Sequence, residues 1–166
     1  MPATYEPIAT TTLGSAASTI TFSSIPATYT DIKLVFVGTA NTGTNCLMRF
    51  NSDSATNYSR TYIIGDGASA SSARNSNVTV VSLTIQNTIN ATTPTMRTAD
   101  IFSYAGSTNK TVLTTETSDL NGSGSTVSAV QLWRNTAAIT SLSLETTSGA
   151  TFSIGTTATL YGIKNA

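Results

Sequence analysis

The stretch FNSDSATNYSR, residues 50–60, holds the densest group of side chains in this chain that could do chemistry. Asn51, Asp53 and Asn57 offer amide and carboxylate oxygens, and Tyr58 adds one aromatic ring. Oxygen ligands at such spacing can coordinate Ca²⁺, whereas an aromatic ring beside amide groups suits a sugar or a protein surface. Asn and Asp are also common in turns, because their side chains bond to nearby backbone amides.

A calcium loop of the EF-hand type does not fit this stretch, because such a loop requires Gly at position 6 and Glu at position 12. Counting from Asn51 places Thr56 and Tyr62 at those positions. Counting from Asp53 places Ile64 at position 12. We therefore predict a structural turn and no metal, with a calcium site assembled from distant loops as the alternative.

The residues of this loop also form the candidate surface for a ligand. Asn51, Asp53, Asn57 and Tyr58 together would suit a glycan, with the Tyr58 ring as the platform. The alternative is that Tyr58 packs onto its own domain. The sequence leaves both interpretations open.

Most of the usual catalytic chemistry is missing. The chain has no histidine, which removes histidine-dependent triads and general bases. Its single cysteine, Cys46, allows neither an intrachain disulfide nor a structural zinc site within one chain. Cys46 lies in the apolar run CLMRF and is predicted to be a small buried side chain.

Only the eight carboxylates remain as candidates for acid–base chemistry. A glycosidase needs two carboxylates on either side of a sugar, and nothing in the spacing of these eight pairs any two of them. The segment GDGASASSAR also lacks the Lys-Ser/Thr of a phosphate-binding loop. We predict that the protein is not an enzyme and binds no cofactor.

The composition is poor in charge and rich in hydroxyl groups. Thr and Ser number 34 and 22, and charged residues make up 10% of the chain, against about 25% in typical proteins. The net charge is zero and the cations are scattered, so no nucleic-acid partner is expected. No apolar stretch approaches the ~18 residues of a membrane span, and the N-terminus predicts no signal peptide.

The elements that must position these residues are strands. Apolar residues recur at every second position in STITFSS, NCLMRF, SAVQLWR, SLSLET and ATLYGIK, which is the period of a β-strand. DIKLVFVG carries apolar residues on both faces and is predicted to be buried on both sides. Turn clusters such as GTANTGTN, GDGASASSARNSN and NGSGS separate the runs, so the pattern predicts an all-β antiparallel sandwich or barrel in one domain.

Two segments are assigned by position. Residues 1–17 are predicted to form an N-terminal arm or an edge strand, because Pro7 cannot donate a hydrogen bond inside a sheet. Residues 18–166 are predicted to form the β-sandwich domain. Trp133 alternates with Ala129 and Gln131, which places it either in the core or on an interface.

Three segments together resemble a family of small virion proteins of tailed bacteriophages. They are TYEPIATTTLGSAASTITFSSIPATYTDIKLVF, RFNSDSATNYSRTYIIGDG and FSIGTTATLYGIKNA, and they cover most of the chain. In the family pattern a strand ends in Phe-Asn-Gly-Asp and is followed by Asn-Tyr-Ser. Ser52 departs from this pattern where Gly is usual, and a positive φ at this position would strain a serine.

The resemblance implies a jelly-roll-like sandwich and a structural role in the virion, after assembly in the host cytoplasm. The first function it implies is a capsid decoration, or cement, protein that contacts the major capsid protein at capsomer junctions. The alternative is a tail-fibre or receptor-binding tip that contacts tail proteins and carbohydrate. Tail fibres normally carry a long shaft or an attachment domain, which this sequence does not suggest.

The closing run LYGIK supplies the candidate subunit contact. Tyr161 and Ile163 alternate with Leu160, so both faces of this strand are apolar and both need cover. Because the resemblance is to virion proteins that often form trimers, we predict a homotrimer with Tyr161 and Ile163 near the contact. The alternative is that this strand lies at the centre of one sandwich core.

Overall fold

The computed structural model describes residues 4–164, and this part of the chain is built from strands and loops without a helix. Every pairing between strands is antiparallel. The prediction of an all-β antiparallel sandwich in one domain is confirmed. The strands are β1 (Tyr5–Thr12), β2 (Thr19–Phe22), β3 (Asp31–Gly38), β4 (Cys46–Phe50), β5 (Tyr58–Gly65), β6 (Ala70–Val78), β7 (Val81–Ser82), β8 (Thr95–Ile101), β9 (Lys110–Asp119), β10 (Gly124–Trp133), β11 (Leu142–Thr146) and β12 (Thr157–Ile163).

The strand order is that of a jelly roll with two inserted hairpins. The larger sheet has eight strands in the order β1-β12-β3-β8-β9-β10-β5-β6, and the smaller has four in the order β2-β11-β4-β7. Without the hairpins β5–β6 and β9–β10, two four-stranded sheets remain, β1-β12-β3-β8 and β2-β11-β4-β7. Eight strands exchanged between two sheets in this order make the double Greek key of a jelly roll.

The core lies between the two sheets and follows the period of two. Ile32, Leu34 and Phe36 of β3 are fully buried, and Phe36 packs on Phe152 with ring centroids 5.4 Å apart. Trp133 is also fully buried, which places it in the core and not on an interface. Cys46 lies in this core as predicted, and burial raises the pKa of its thiol to about 12.

Two sequence predictions about individual strands are wrong. β3 is buried on one side only: Val37 on its other face is 38% exposed, because within residues 4–164 no second layer covers that side of the larger sheet. The segment GDGASASSARNSN was predicted to be a turn cluster, but Ala70–Val78 forms β6. Every residue from Ala70 to Asn77 is exposed, so no hydrophobic alternation marks this strand.

The N-terminal segment is part of the larger sheet. β1 pairs with β12 and forms one edge of that sheet. The register shifts between Pro7 and Ala9, which is a bulge beside the proline. Pro7 therefore occupies the kind of edge position that its missing N–H requires.

The larger sheet is wider than the smaller, so loops must cover the inner side of β9 and β10. The buried Gln131 side chain donates from Nε2 to the Ser82 carbonyl at 2.7 Å and accepts from the Ser82 N–H at 2.9 Å. Its Nε2 also donates to the Thr114 hydroxyl at 2.9 Å. The Gln131 amide thus serves as the backbone partner that β7, at the edge of the smaller sheet, would otherwise lack.

Two buried charged side chains, Glu116 and Lys110, bind the backbone groups of the covering loops in the same way. Glu116 accepts hydrogen bonds from the backbone N–H groups of Ile85, Gln86 and Asn87. At the other end of β9, the Lys110 ammonium donates to the carbonyls of residues 106, 108 and 136. Buried polar groups of a loop need such partners, because water cannot reach them.

Gln131→Ala should lower the free energy of unfolding by roughly 2–4 kcal/mol, because it leaves the N–H and the carbonyl of Ser82 buried without partners. Urea denaturation followed by circular dichroism measures this loss. Ser128→Ala changes an exposed side chain of the same strand and should stay within about 0.5 kcal/mol of the wild type. Equal stability of the two variants would show that Gln131 does not support β7.

Candidate interaction surface

Asp53 is the centre of the 50–60 loop. Its carboxylate accepts the Trp133 indole N–H at 2.7 Å and the Asn57 side-chain amide at 3.0 Å. It also accepts the backbone N–H of Ala55 at 2.9 Å, which closes an Asx turn. Burial opposes ionisation of Asp53, but the hydrogen bonds from Asn57, Trp133 and Ala55 outweigh it and hold the pKa of the carboxyl below its usual value.

Asn51 ties this loop to the segment before β11. Its side chain donates to the Ala138 carbonyl at 2.8 Å and accepts from the backbone N–H groups of Thr140 at 2.9 Å and Ser141 at 3.1 Å. Asn51 and Ser52 both have positive φ, 50° and 58°. Ser52 therefore occupies the left-handed conformation that glycine would adopt more easily, as the departure from the family pattern suggested.

Tyr58 is not a surface residue. Its side chain is fully buried, with the ring stacked on Trp133 at a centroid distance of 6.3 Å. Its hydroxyl donates to the Asp53 carbonyl at 3.2 Å, and burial raises the pKa of that hydroxyl to about 12. The candidate ligand surface is therefore wrong for Tyr58, since the first residue of β5 points into the core.

The structure brings Asp53 and Asn57 together, but it turns them toward Trp133 and the backbone of the loop. Asn51 lies apart and points toward residues 138–141. The polar atoms of all three side chains are used inside the domain. The structural turn predicted for this stretch accounts for these contacts, and whether the rim of the loop also binds a glycan stays an open prediction.

Each of the eight carboxylates has a structural partner. Three form ion pairs: Glu6 with Lys164, Asp100 with Lys33, and Glu145 with Arg49. Four accept backbone N–H groups in turns or loops: Asp31, Asp53, Asp66 and Asp119. Glu116 is buried under the 85–87 loop as described above. This arrangement assigns all eight groups to holding loops and strands in place.

The most extensive surface feature is the outer face of the larger sheet, meaning the side turned away from the four-stranded sheet. One row of directly opposed residues crosses six neighbouring strands on this face: Thr159, Val35, Thr98, Thr115, Ser128 and Ile63. Four of these residues carry hydroxyl groups and two are apolar and β-branched. The surface is thus polar without being charged.

Large apolar side chains also lie on this outer face. Ile63 is 55% exposed, Val130 53% and Met96 47%. Val37 and Met96 stand directly opposite each other on β3 and β8. Exposed apolar side chains that share one face of a monomer mark an interaction surface more often than scattered ones do.

The charges at the centre of the outer face cancel. Lys33 and Asp100 stand opposite each other on β3 and β8, and the Lys33 ammonium donates to both carboxylate oxygens, at 2.7 and 2.9 Å. A half-buried pair near the surface adds little to stability. Its effect on this surface is that neither charge acts alone on an approaching partner.

Tyr161 and Ile163 lie at one end of this outer face. Both are half-buried, whereas Leu160 points into the core and is fully buried. The Tyr5 ring, 51% exposed, meets the Tyr161 ring edge-on at a centroid distance of 6.4 Å. β12 itself lies inside the sandwich, as the alternative predicted, because it pairs with β1 and β3 and buries Ala158 and Leu160. Tyr161 and Ile163 lie on its other face, outside the core.

The outer face as a whole was missed at the sequence level, although its signal was present. Val35 and Val37 alternate with the core residues of β3, and Val130 and Leu132 alternate with those of β10. The second apolar face of β3 was predicted to be buried, and that of β10 was assigned no role. They belong instead to a surface that the domain itself leaves uncovered.

Two further findings apply to residues 4–164. No three side chains of the His, Cys, Asp or Glu type are grouped so that they could hold a metal ion. No helix in this range has the length and apolar character needed to cross a membrane.

A scan against models of protein families, a search of curated proteins and a search of solved structures each returned no match.

Asp53→Asn should lower the free energy of unfolding by about 1–3 kcal/mol at neutral pH, because an amide cannot accept both from Trp133 and from the loop N–H groups. The lowered pKa of Asp53 adds a pH dependence. The ionised Asp53 carboxylate stabilises the folded state fully at pH values well above 3.8, the ordinary pKa of an aspartate. This stabilisation is lost as the pH falls through the lower pKa that Asp53 has in the folded state. The difference in the free energy of unfolding between the wild type and Asp53→Asn should therefore become smaller in acid.

Urea denaturation read by the fluorescence of Trp133 measures both effects. Asp119→Asn is the control, because an amide oxygen can still accept the Asn121 N–H. EDTA should leave the melting temperature of the wild type unchanged. A fall in EDTA that Ca²⁺ reverses would instead reveal a metal site in the loop.

Proposed function

We propose that this protein is a structural protein of a bacteriophage virion, namely a capsid decoration protein that stabilises the head shell at junctions between capsomers. The observation that carries the proposal is the outer face of the eight-stranded sheet, which is broad, partly apolar and poor in charge, with Arg74 at its β6 edge. The sequence resemblance to small virion proteins supports the same conclusion. The partner on the shell would be the major capsid protein.

The size of the outer face suits a stable protein contact. Strands spaced by about 4.8 Å and residues that rise about 3.3 Å make a face of roughly 35 by 20 Å. Such a face covers on the order of 700 Å², close to the ~800 Å² that each partner contributes to a standard interface. Its hydroxyl groups can hydrogen-bond to a partner directly or through trapped water.

The outer face suits a partner surface that carries little charge. Its central ion pair is already neutralised, so a charged partner would gain no long-range attraction there. A shell surface rich in backbone, hydroxyl and apolar groups would bury Val130, Met96 and Ile63, while Arg74 at the β6 edge can remain in contact with solvent. This property fits a permanent contact within an assembly.

The alternative is a tail-fibre or receptor-binding tip. It rested on an exposed aromatic ring beside the amides of the 50–60 loop. Burial of Tyr58 removes that ring from the surface. We therefore rank the decoration role first.

Copy number distinguishes the two positions on the particle. We expect quantitative mass spectrometry of purified virions to find this chain in hundreds of copies, in a fixed ratio to the major capsid protein. Counts of a few to a few dozen would place it in the tail and contradict the decoration role. The major tail-tube protein of the same virions serves as the internal standard.

A homotrimer is the oligomer we propose, with Tyr161, Ile163 and Tyr5 near the contact. The three side chains form the apolar end of the outer face, and the zero net charge gives no long-range repulsion between copies. In a cyclic trimer, each of the three subunits would bury this apolar end in a contact near the threefold axis.

Tyr161→Ser should dissociate the oligomer and leave the subunit folded, because this side chain does not lie in the core. Light scattering should report a smaller mass, and circular dichroism an unchanged β-sheet signal. Tyr62→Ser is the matched control: Tyr62 is a half-buried tyrosine on β5, and four strands separate β5 from β12. A wild-type protein that is monomeric at high micromolar concentration would contradict a trimer in solution.

A further inference from the structure

The two edges of the eight-stranded sheet differ in how they meet solvent. β1 forms one edge and carries Pro7 and a bulge, two features that hinder the addition of another strand. β6 forms the other edge and has no proline, and its register with β5 shifts only near its C-terminal end, between Asn75 and Val78. Its register with β5 is unbroken from Asn75↔Arg60 to Ala70↔Gly65.

β6 is long and uncovered, and it is regular over residues 70–75. It spans nine residues, Ala70–Val78, and eight of them are exposed. Its side chains are mostly those of Ala, Ser and Asn, so they leave the backbone accessible. In an antiparallel edge strand every second residue directs its N–H and C=O away from the sheet, so residues 70–75 of β6 offer about three residues for pairing with a further strand.

Positive charge collects at this edge. Arg60, Arg74 and Arg134 lie on β5, on β6 and directly after β10, and none of them forms an ion pair with a carboxylate among residues 4–164. The other cations are either paired with an acid, as in Lys33, Arg49 and Lys164, or buried, as in Arg97 and Lys110. The exposed positive charge that lacks an acid is therefore concentrated beside β6.

The arginines flank β6 from both faces of the sheet. Arg74 stands opposite Thr61, on the outer face. Arg60 stands opposite Asn75, on the inner face, and its Nε donates to the Asn75 side chain at 3.1 Å. Arg134 donates to the Asn77 side chain at 2.8 Å. The nearest carboxylate along the chain, Asp66, is occupied by the N–H groups of its own turn.

We propose that β6 is the docking edge for an extended acidic segment of a partner protein, which adds to the sheet as a ninth strand. Backbone hydrogen bonds to β6 would supply the affinity, and the arginines would supply the selectivity. Successive side chains of an added strand point to opposite faces. Two consecutive acidic residues would therefore reach Arg74 on one face and Arg60 on the other.

A second copy of this chain fits the edge less well. Arg74 is the central residue of β6, so antiparallel pairing of two β6 strands about their centres would oppose Arg74 to Arg74. Like charges directly opposite each other destabilise a strand pair. An acidic segment removes this conflict and neutralises the edge.

A synthetic peptide of alternating threonine and valine, with two consecutive glutamates at its centre, tests the proposal. Fluorescence anisotropy at low salt should give a dissociation constant in the micromolar range. Amide hydrogen exchange should slow in residues 70–78 and not along β1. Two matched peptides serve as controls, one with lysines in place of the glutamates and one with alternate backbone nitrogens methylated.

Arg74→Glu should weaken binding of the acidic peptide roughly tenfold, because it replaces an attraction with a repulsion. Arg74→Lys, which keeps the charge, should bind nearly as the wild type does. Both changes are at an exposed position and should leave the melting temperature unchanged. Loss of binding with the methylated peptide would confirm that the backbone pairs.

Three results would overturn the proposal: no binding of the acidic peptide at about 1 mM, equal binding of the lysine peptide, or protection outside β6. Dimerisation of the wild type that protects residues 70–78 would assign the edge to a second copy instead. Because β6 lies at the sheet edge and Tyr161 at the far end of the outer face, failure here leaves the proposed function untouched.

Discussion

The architecture depends on one mismatch: an eight-stranded sheet packs on a four-stranded one. Where the smaller sheet ends, the inner side of β9 and β10 must be closed by loops, and loops bring backbone groups that water can no longer satisfy. Gln131, Glu116 and Lys110 resolve this conflict by binding those groups with their side chains. β9 is therefore largely polar on its buried side, and β10 carries Gln131 there among apolar residues.

The same mismatch explains the character of the surface. The smaller sheet covers one side of the larger sheet, and no layer covers the other. The side chains on that outer face are mainly those of threonine, serine and valine. They are β-branched or carry a hydroxyl group, and they add no charge. The outer face thus shares the character of the whole chain, which is rich in Thr and poor in charge.

Strands that bury one apolar face could be predicted from the sequence, and strands that are exposed or buried through polar residues could not. β2, β3, β4, β11 and β12 follow the hydrophobic period of two, and their alternation was enough to predict an antiparallel sandwich. β9 has Lys110, Thr114 and Glu116 on its buried side, and this pattern gives no apolar alternation to recognise. β6 is exposed along nearly its whole length and looks like a turn-rich stretch for the same reason.

The candidate site shows the same limit. Asn51 and Asp53 were predicted to stabilise a turn because of their residue types, and their bonds to backbone N–H groups agree with this. The burial of Tyr58 could not be predicted, because it depends on Trp133, which lies 75 residues later in the chain. Prediction of the outer face likewise requires knowledge of the strand order. The hydrophobic period alone does not show which of two apolar strand faces is covered by the domain itself.

The position of β12 has a consequence for how this chain folds during synthesis. β12 lies between β1 and β3, so the first strand has no partner in its sheet until residues 157–163 have left the ribosome. Pairing across so much of the chain is slow, because the entropy of closing a long loop must be overcome first. The N-terminal strand therefore waits with an unpaired backbone, and its Pro7 limits pairing with a neighbouring nascent chain during that interval.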